Sequence, residues 1–159
     1  MNPVAFRLGT IEIYWYGIII ALAVSVAYLV ARRLGKGFGL PGRVFDEFLL
    51  WVVPISFIGA RLWYVLFNLN YYLLDPAKIF AFREGGLAIH GAILAGLAVA
   101  LFRARAEKIN FYRFADISAV ALVLGQAIGR WANFVNQEAY GGPTDLPWAI
   151  VVNSQKVPP

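Results

Sequence analysis

The sequence predicts an all-α protein, a polytopic bundle of four transmembrane helices whose N-terminus lies outside. Of its 159 residues, 60% are hydrophobic and 14% are charged, and the mean hydropathy is +0.66. This balance lies outside the range of soluble domains. Four apolar segments are each long enough, at about 1.5 Å per residue, to cross a hydrocarbon core of about 30 Å. We therefore interpret 1–159 as a single transmembrane domain.

The four spans follow one another along the chain and end in an outer tail. They cover residues 13–31, 48–67, 85–102 and 114–134, and the tail covers 135–159. The first span does not resemble a cleavable signal peptide, because most of its basic flank follows it, at Arg32, Arg33 and Lys36, instead of preceding it.

Basic and aromatic residues fix the expected orientation. The basic residues of the first and third connections are Arg32, Arg33, Lys36, Arg43, Arg103, Arg105, Lys108 and Arg113. By the positive-inside rule these connections are cytoplasmic, and most Trp and Tyr residues then fall near the outer interface. The net charge of +5 reports topology, so no nucleic-acid partner is expected. The chain has no Cys, so any thiol chemistry needs a sulfur from a substrate.

Small residues predict where the helices approach one another. The fourth span contains Gly125 and Gly129 at a spacing of four, and the third contains Gly91 and Ala95 at the same spacing. In lipid no hydrophobic force drives helices together, so close packing at such small residues is the expected means of association.

Three ionisable residues stand out inside the spans, where charge is costly and usually functional, whereas Asp116 lies near the inner end of the fourth span. Arg61, His90 and Arg130 fall about 9, 8 and 6 Å from the outer ends of their helices. No acidic residue lies in this layer, and an uncompensated cationic layer at headgroup depth favours an anion such as a phospholipid phosphate. The alternative is that Arg61 and Arg130 pair with Glu84 and Glu138 and only stabilise the bundle.

Polar side chains form two helical stripes around these residues. One stripe consists of Gln126, Arg130, Asn133 and Gln137, and the other of Arg61, Tyr64 and Asn68. Because a polar stripe cannot face lipid, each must face protein, a headgroup or a wet cavity. A lone His such as His90 is more often a hydrogen-bonded packing residue than a catalyst, and its spacing leaves both interpretations open.

The segment from Gly129 to Gly141 reads GRWANFVNQEAYG. It resembles the signature of prolipoprotein diacylglyceryl transferases, G-R-x-[G/A]-N-F-[aliphatic]-N-x-E-x-x-G, with every fixed position filled. Three shorter motifs agree with the same family: Trp15-Tyr16-Gly17, Gly59-Ala60-Arg61-Leu62, and Glu84-Gly85-Gly86-Leu87 leading to His90-Gly91. The resemblance covers essentially the whole chain.

The resemblance implies a transferase of the bacterial cytoplasmic (inner) membrane with its active site toward the outer leaflet. Such an enzyme passes the diacylglyceryl group of phosphatidylglycerol to the lipobox cysteine of a preprolipoprotein, forms a thioether and releases glycerol phosphate. This is the first step of lipoprotein maturation, and no cofactor or metal is expected. An anion-conducting protein, or a lipid-binding protein without turnover, is the alternative.

The resemblance also suggests the site residues. The expected catalytic residues are His90, Arg130 and Asn133. The expected phosphatidylglycerol-binding residues are Arg130, Asn133, Asn136, Tyr16, Arg61, Glu138 and Gly141. We interpret Arg130 as the phosphate clamp, His90 as the acceptor of the thiol proton and Glu138 as the residue that orients Arg130. Since the family continues with a further loop and helices, we expect the chain to be the N-terminal part of a longer enzyme, inactive by itself.

Overall fold

The computed structural model describes residues 3–82, 85–152 and 155–158. Its strands are β1 (Val4–Leu8), β2 (Ile11–Tyr14), β3 (Ile150–Val152) and β4 (Gln155–Val157). Its α-helices are α1 (Trp15–Gly37), α2 (Gly42–Phe67), α3 (Leu69–Leu74), α4 (Ile89–Ala106) and α5 (Phe111–Asn136), and a 3₁₀ turn covers Pro76–Phe80.

Among the described residues, four helices are long and apolar enough to cross a membrane: α1, α2, α4 and α5. They coincide with the four expected spans, which confirms the all-α membrane fold class. The third span begins later than expected, at Ile89, because Gly85 and Gly86 have φ angles of +85° and +78°. This left-handed backbone is favourable for glycine and cannot continue a right-handed helix. The outside location of the N-terminus stays a prediction.

The chain divides into two compact units. We call Met1–Ala31 with Ser118–Pro159 the terminal unit, and Arg32–Ile117 the central unit. Helices α1 and α5 each contribute residues to both units. The interpretation of the chain as a single domain stays a prediction, and each unit is described by itself below.

In the central unit, α2 and α4 pack through small residues. A Cβ atom built on Gly59 would lie 2.5 Å from Ala95 Cβ and 2.7 Å from the Gly91 carbonyl oxygen, and one on Gly91 would collide with the Gly59 carbonyl and Trp63 Cβ. The predicted packing at Gly91 and Ala95 is therefore confirmed, with Gly59 as its partner on α2. This crossing fixes the start of α4, which carries His90.

At the opposite end of this helix pair, ion pairs connect the start of α2 to the end of α4. Arg43 Nη2 lies 2.6 Å from Glu107 Oε2, Arg103 Nη2 lies 3.0 Å from Glu107 Oε1, and Arg103 also pairs with Glu47. The hydrogen bond from Arg43 lowers the pKa of the Glu107 carboxyl. Phe114 is fully buried and packs edge-on against Phe48 of α2, with ring centroids 5.0 Å apart.

The terminal unit contains two antiparallel hairpins that the sequence analysis did not predict. β1 pairs with β2 around the two-residue turn Gly9-Thr10, where Gly9 has φ +62°, and β3 pairs with β4. Helix contacts in this unit include Gly125, on which a Cβ atom would lie 3.3 Å from Ala27 Cβ. The predicted close contact at Gly125 is thus confirmed, with α1 as the partner.

Candidate active site

The end of α5 builds a turn that brings Arg130 beside the following loop. The Gln137 amide donates to the Phe134 carbonyl and the Glu138 amide to the Asn133 carbonyl, at 3.1 and 3.0 Å. Gln137 takes the left-handed conformation that ends many helices, with φ +55°. Ala139 is also left-handed, with φ +54°. Such backbone costs on the order of 1 to 3 kcal/mol for a residue other than glycine and concentrates at functional sites.

Arg130 is exposed, and its Nη1 donates one hydrogen bond to the Ala139 carbonyl at 3.2 Å. Within the part of the chain that the structure describes, Arg130 makes no ion pair and no second hydrogen bond. Its remaining N–H groups are therefore available, and a guanidinium can donate up to five hydrogen bonds in a planar fork. This geometry suits an oxyanion with two acceptor oxygens.

Arg130 lines a pocket of about 380 Å³. The other lining residues are Trp131, Asn133, Phe134, Gln137, Glu138, Ala139, Tyr140, Ile150, Val152 and Pro158. Three members of the predicted stripe, Arg130, Asn133 and Gln137, thus face one cavity, whereas Gln126 is not among its lining residues. The contributions of Ile150, Val152 and Pro158 were not predicted from the sequence, since a short alternating apolar pattern was their only signal.

Glu138 does not take the role expected for it. No ion pair between Glu138 and Arg130 occurs among the described residues, because the left-handed turn places the Ala139 carbonyl at the guanidinium instead. Glu138 Oε1 accepts a long hydrogen bond of 3.5 Å from Asn136 Nδ2. The expectation that Glu138 orients Arg130 is therefore wrong for this structure, and the alternative of a bundle-locking Arg130–Glu138 ion pair fails for the same reason.

Asn136 and Tyr16 meet at a second cavity of the terminal unit. Its volume is about 680 Å³, and it is also lined by Glu12, Ile13, Tyr14, Gly17, Ile18 and Ala21. Asn136 Oδ1 is buried here without a hydrogen-bond partner among the described residues, an arrangement that is unfavourable unless a ligand or water supplies a donor. At the rim, the hydrogen bond of 2.9 Å that Tyr14 donates to Glu12 raises the pKa of Tyr14.

Gly141 brings the loop after α5 close to the end of the β3–β4 hairpin. A Cβ atom built on Gly141 would lie 2.7 Å from Pro158 Cγ. No side chain fits this gap unless the proline ring moves. Gly141 therefore permits the two segments to approach closely. Its expected contact with phosphatidylglycerol stays a prediction.

In the central unit, Arg61 is 3% exposed and donates only to main-chain carbonyls. Its Nε donates to Ile79, its Nη1 to Gly85 and Gly86, and its Nη2 to Lys78 and Ala81, at distances from 2.5 to 3.3 Å. Arg61, Tyr64 and Asn68 line one pocket of about 310 Å³, as their stripe predicts. The expected binding of a lipid phosphate by Arg61 would require these bonds to be exchanged for phosphate oxygens. The alternative partner Glu84 lies outside the described residues.

His90 is exposed on the first turn of α4 and has no hydrogen-bond partner among the described residues. The backbone on either side of His90 contacts α2: the Ala88 amide donates to the Ala60 carbonyl at 3.0 Å, and Gly91 packs on Gly59. His90 and Arg61 belong to the central unit and Arg130 to the terminal unit. Their predicted common layer stays a prediction.

The chain is similar to known proteins over almost its whole length. The family model described as prolipoprotein diacylglyceryl transferase matches residues 3–159. The chain is similar to proteins named phosphatidylglycerol–prolipoprotein diacylglyceryl transferase. The relative from Finegoldia magna is 43% identical over 159 residues, which is 100% of this chain and 64% of the relative. The relative from Lysinibacillus sphaericus is 46% identical over 143 residues, 90% of this chain and 52% of the relative. The chain thus spans between half and two thirds of these relatives.

Proposed function

The chain belongs to the prolipoprotein diacylglyceryl transferase family, and we propose that the protein of which it forms part transfers a diacylglyceryl group from phosphatidylglycerol to the lipobox cysteine of preprolipoproteins. The observation that carries this proposal is Arg130, an exposed guanidinium without an ion pair in the described chain, at the rim of a largely apolar pocket. A phospholipid presents the same combination of a phosphate and apolar chains.

The reaction needs a nucleophile and an anion clamp. The thiol of the substrate loses its proton, its sulfur forms a bond to the glycerol carbon, and the carbon–oxygen bond to the phosphate breaks. The electron pair of that bond leaves with glycerol phosphate. Because negative charge grows on the leaving phosphate, donors held in place around it lower the barrier. Arg130 is the donor we assign to this role, with two parallel hydrogen bonds to phosphate oxygens.

The neighbours of Arg130 supply the rest of the phosphate site. Asn133 lies one helical turn after Arg130 and lines the same pocket, so its amide is placed to donate to a headgroup oxygen. Glu138, at the rim, is an acceptor for a headgroup hydroxyl. Gly141 keeps the loop tight enough to close the pocket against Pro158.

The second cavity is suited to the glycerol portion of the lipid. The unpartnered Asn136 Oδ1 accepts hydrogen bonds, and Tyr16 adds a hydroxyl that both donates and accepts. We assign these two groups to the hydroxyls of phosphatidylglycerol. A lipid without a headgroup hydroxyl would leave the Asn136 oxygen unsatisfied.

His90 is the residue we assign to the thiol proton. The thiolate is the reactive form of cysteine, and a neutral imidazole is a suitable general base for a thiol. His90 is exposed and makes no hydrogen bond to another described residue, so its ring is available to a substrate. The chain contributes no cysteine of its own, in agreement with a nucleophile that arrives on the substrate.

The chain is a multi-pass membrane protein of this family. We place it in the bacterial cytoplasmic membrane, with the connections rich in Arg and Lys on the cytoplasmic side. The ends of α2 and α5, with the site residues, then face the outer leaflet. A preprolipoprotein thiol reaches this side after its signal segment has entered the membrane.

A transfer assay tests the proposal. The complete protein is reconstituted in phosphatidylglycerol vesicles with a lipobox peptide, and mass spectrometry follows the peptide. We expect the peptide to gain one diacylglyceryl group for each glycerol phosphate released. A peptide with serine in place of the cysteine, and vesicles of phosphatidylcholine alone, are the controls. Release of glycerol phosphate without modification of the peptide would contradict the proposal.

A further inference from the structure

The guanidinium of Arg61 is saturated by the protein itself. An arginine side chain has five N–H groups, and Arg61 makes five hydrogen bonds, all to main-chain carbonyls of the stretches 78–82 and 85–88. The rings of Tyr72 and Phe82 lie 5.4 and 5.6 Å from its Cζ atom. A buried charge is stable only when it is fully hydrogen-bonded or paired, and here neutral carbonyls meet that requirement.

The same carbonyls belong to the backbone that leads into α4. Gly85 and Gly86 lie five and four residues before His90, and their left-handed conformation aims both carbonyls at Arg61 Nη1. A Cβ atom on Gly86 would lie 2.5 Å from that nitrogen, so the guanidinium and the backbone are in tight contact. A backbone hydrogen bond follows at Ala88, whose amide donates to the Ala60 carbonyl of α2.

We infer that Arg61 is a positioning residue of the transfer reaction: it fixes the backbone before α4, and so the location of His90, and does not itself bind the lipid phosphate. The inference rests on the proposed function through His90. Its physical basis is that residues 78–81 end a short 3₁₀ turn and residues 85–88 have no regular secondary structure. Most of these carbonyls therefore lack the partners that a continuing helix would supply, although the Lys78 carbonyl also accepts from the Ala81 amide at 3.1 Å. One arginine provides donors to five of them at once.

Lysine cannot replace arginine in this role. Its ammonium has three donors around a single point instead of five donors in a planar fork. Arg61→Lys keeps the charge, and it therefore leaves some of the five carbonyls without a donor. We expect the stretch 78–82 to open more often, by about tenfold, since the loss of one hydrogen bond to a charged group changes an equilibrium by about this factor.

Cysteine labelling measures this opening directly, because residues 1–159 contain no cysteine and any cysteine elsewhere in the complete protein is replaced by serine. In the complete, detergent-solubilised protein, a cysteine is introduced at half-buried Ala81 (Ala81→Cys), whose carbonyl accepts from Arg61. A water-soluble maleimide should label it about tenfold faster when Arg61→Lys is added. The control site is Phe80→Cys, which is already 76% exposed and should not respond. Arg33→Lys, at an exposed position, is the control for the charge substitution.

Gly86→Ala provides a second variant that leaves Arg61 unchanged. The added methyl group displaces the guanidinium, so labelling at Ala81→Cys should rise as in Arg61→Lys. Gly37→Ala, whose added Cβ meets open space, should leave the labelling unchanged. Unchanged labelling in both Arg61→Lys and Gly86→Ala would overturn the inference.

Kinetics separates positioning from direct binding. A misplaced base lowers kcat, whereas the loss of a phosphate ligand raises KM for phosphatidylglycerol. We expect Arg61→Lys to lower kcat with little change in KM. A raised KM with unchanged labelling would overturn the inference in favour of a direct phosphate contact. Failure of the proposed function would be seen separately, as absence of transfer by the unsubstituted protein, while the labelling result reports on Arg61 alone.

Discussion

Gly59→Ala tests the packing that places the start of α4. The new Cβ atom would lie 2.5 Å from Ala95 Cβ and 2.7 Å from the Gly91 carbonyl oxygen. Carbon atoms in favourable contact are about 3.5 to 4.0 Å apart, so α2 and α4 must separate by about 1 Å. Overpacking of this kind costs about 1 to 3 kcal/mol. At about 2 to 4 °C per kcal/mol for a chain of this size, the unfolding midpoint should fall by roughly 2 to 12 °C.

Thermal unfolding of the purified protein in detergent measures this shift. Ala95→Gly removes one of the two clashing atoms, so the double variant should lose less stability than the sum of the two single variants. A double-mutant cycle therefore reports a favourable coupling between the two positions. Gly37→Ala, where the added Cβ meets open space, is the control. Equal midpoints for Gly59→Ala and Gly37→Ala, with no coupling to Ala95, would refute the described crossing.

Three further predictions follow from the ion-pair network, the outer loop and the proposed base. The hydrogen bond from Arg43 lowers the pKa of Glu107, so the stability it adds is present at neutral pH and is lost as the pH falls through the lowered value. Glu107→Gln should reduce the unfolding midpoint at pH 7, and the difference from the unsubstituted protein should shrink as the pH falls below the ordinary carboxyl pKa and disappear once the lowered pKa is passed; a difference that does not change with falling pH would refute the assignment. Gly141→Ala should slow transfer because its methyl group displaces Pro158. Gly142→Ala, whose added Cβ meets open space, should transfer at the normal rate. Equal transfer rates for the two variants would show that the close approach is dispensable. His90→Gln should lower kcat because the thiol proton then lacks its acceptor, and an unchanged kcat would exclude His90 as the base.

The membrane fold could be predicted from the sequence because its signals are strong. Four spans of high hydropathy and the small residues Gly91, Ala95 and Gly125 correctly indicated the helices and two of their contacts. The hairpins could not be predicted in the same way. Their strands have three to five residues, too short for an alternating pattern to stand out from the adjoining apolar helix.

The site was predictable only in part, for a reason that Arg61 and Glu138 illustrate. Spacing places side chains on a common face, and it correctly grouped Arg130 with Asn133 and Arg61 with Tyr64. Spacing does not reveal irregular backbone. The carbonyls around Arg61 and the left-handed turn that gives Arg130 the Ala139 carbonyl instead of Glu138 depend on φ angles that no periodicity encodes.

The transfer rate of the Arg130→Lys variant tests the central claim most directly. In the complete protein with phosphatidylglycerol and a lipobox peptide, we predict a fall in kcat/KM of at least about a hundredfold, since loss of a single donor to a developing oxyanion has an effect of this order. Arg105→Lys, at an exposed position on α4, should transfer at the normal rate. A normal rate in Arg130→Lys would contradict the assignment of this guanidinium to the leaving phosphate.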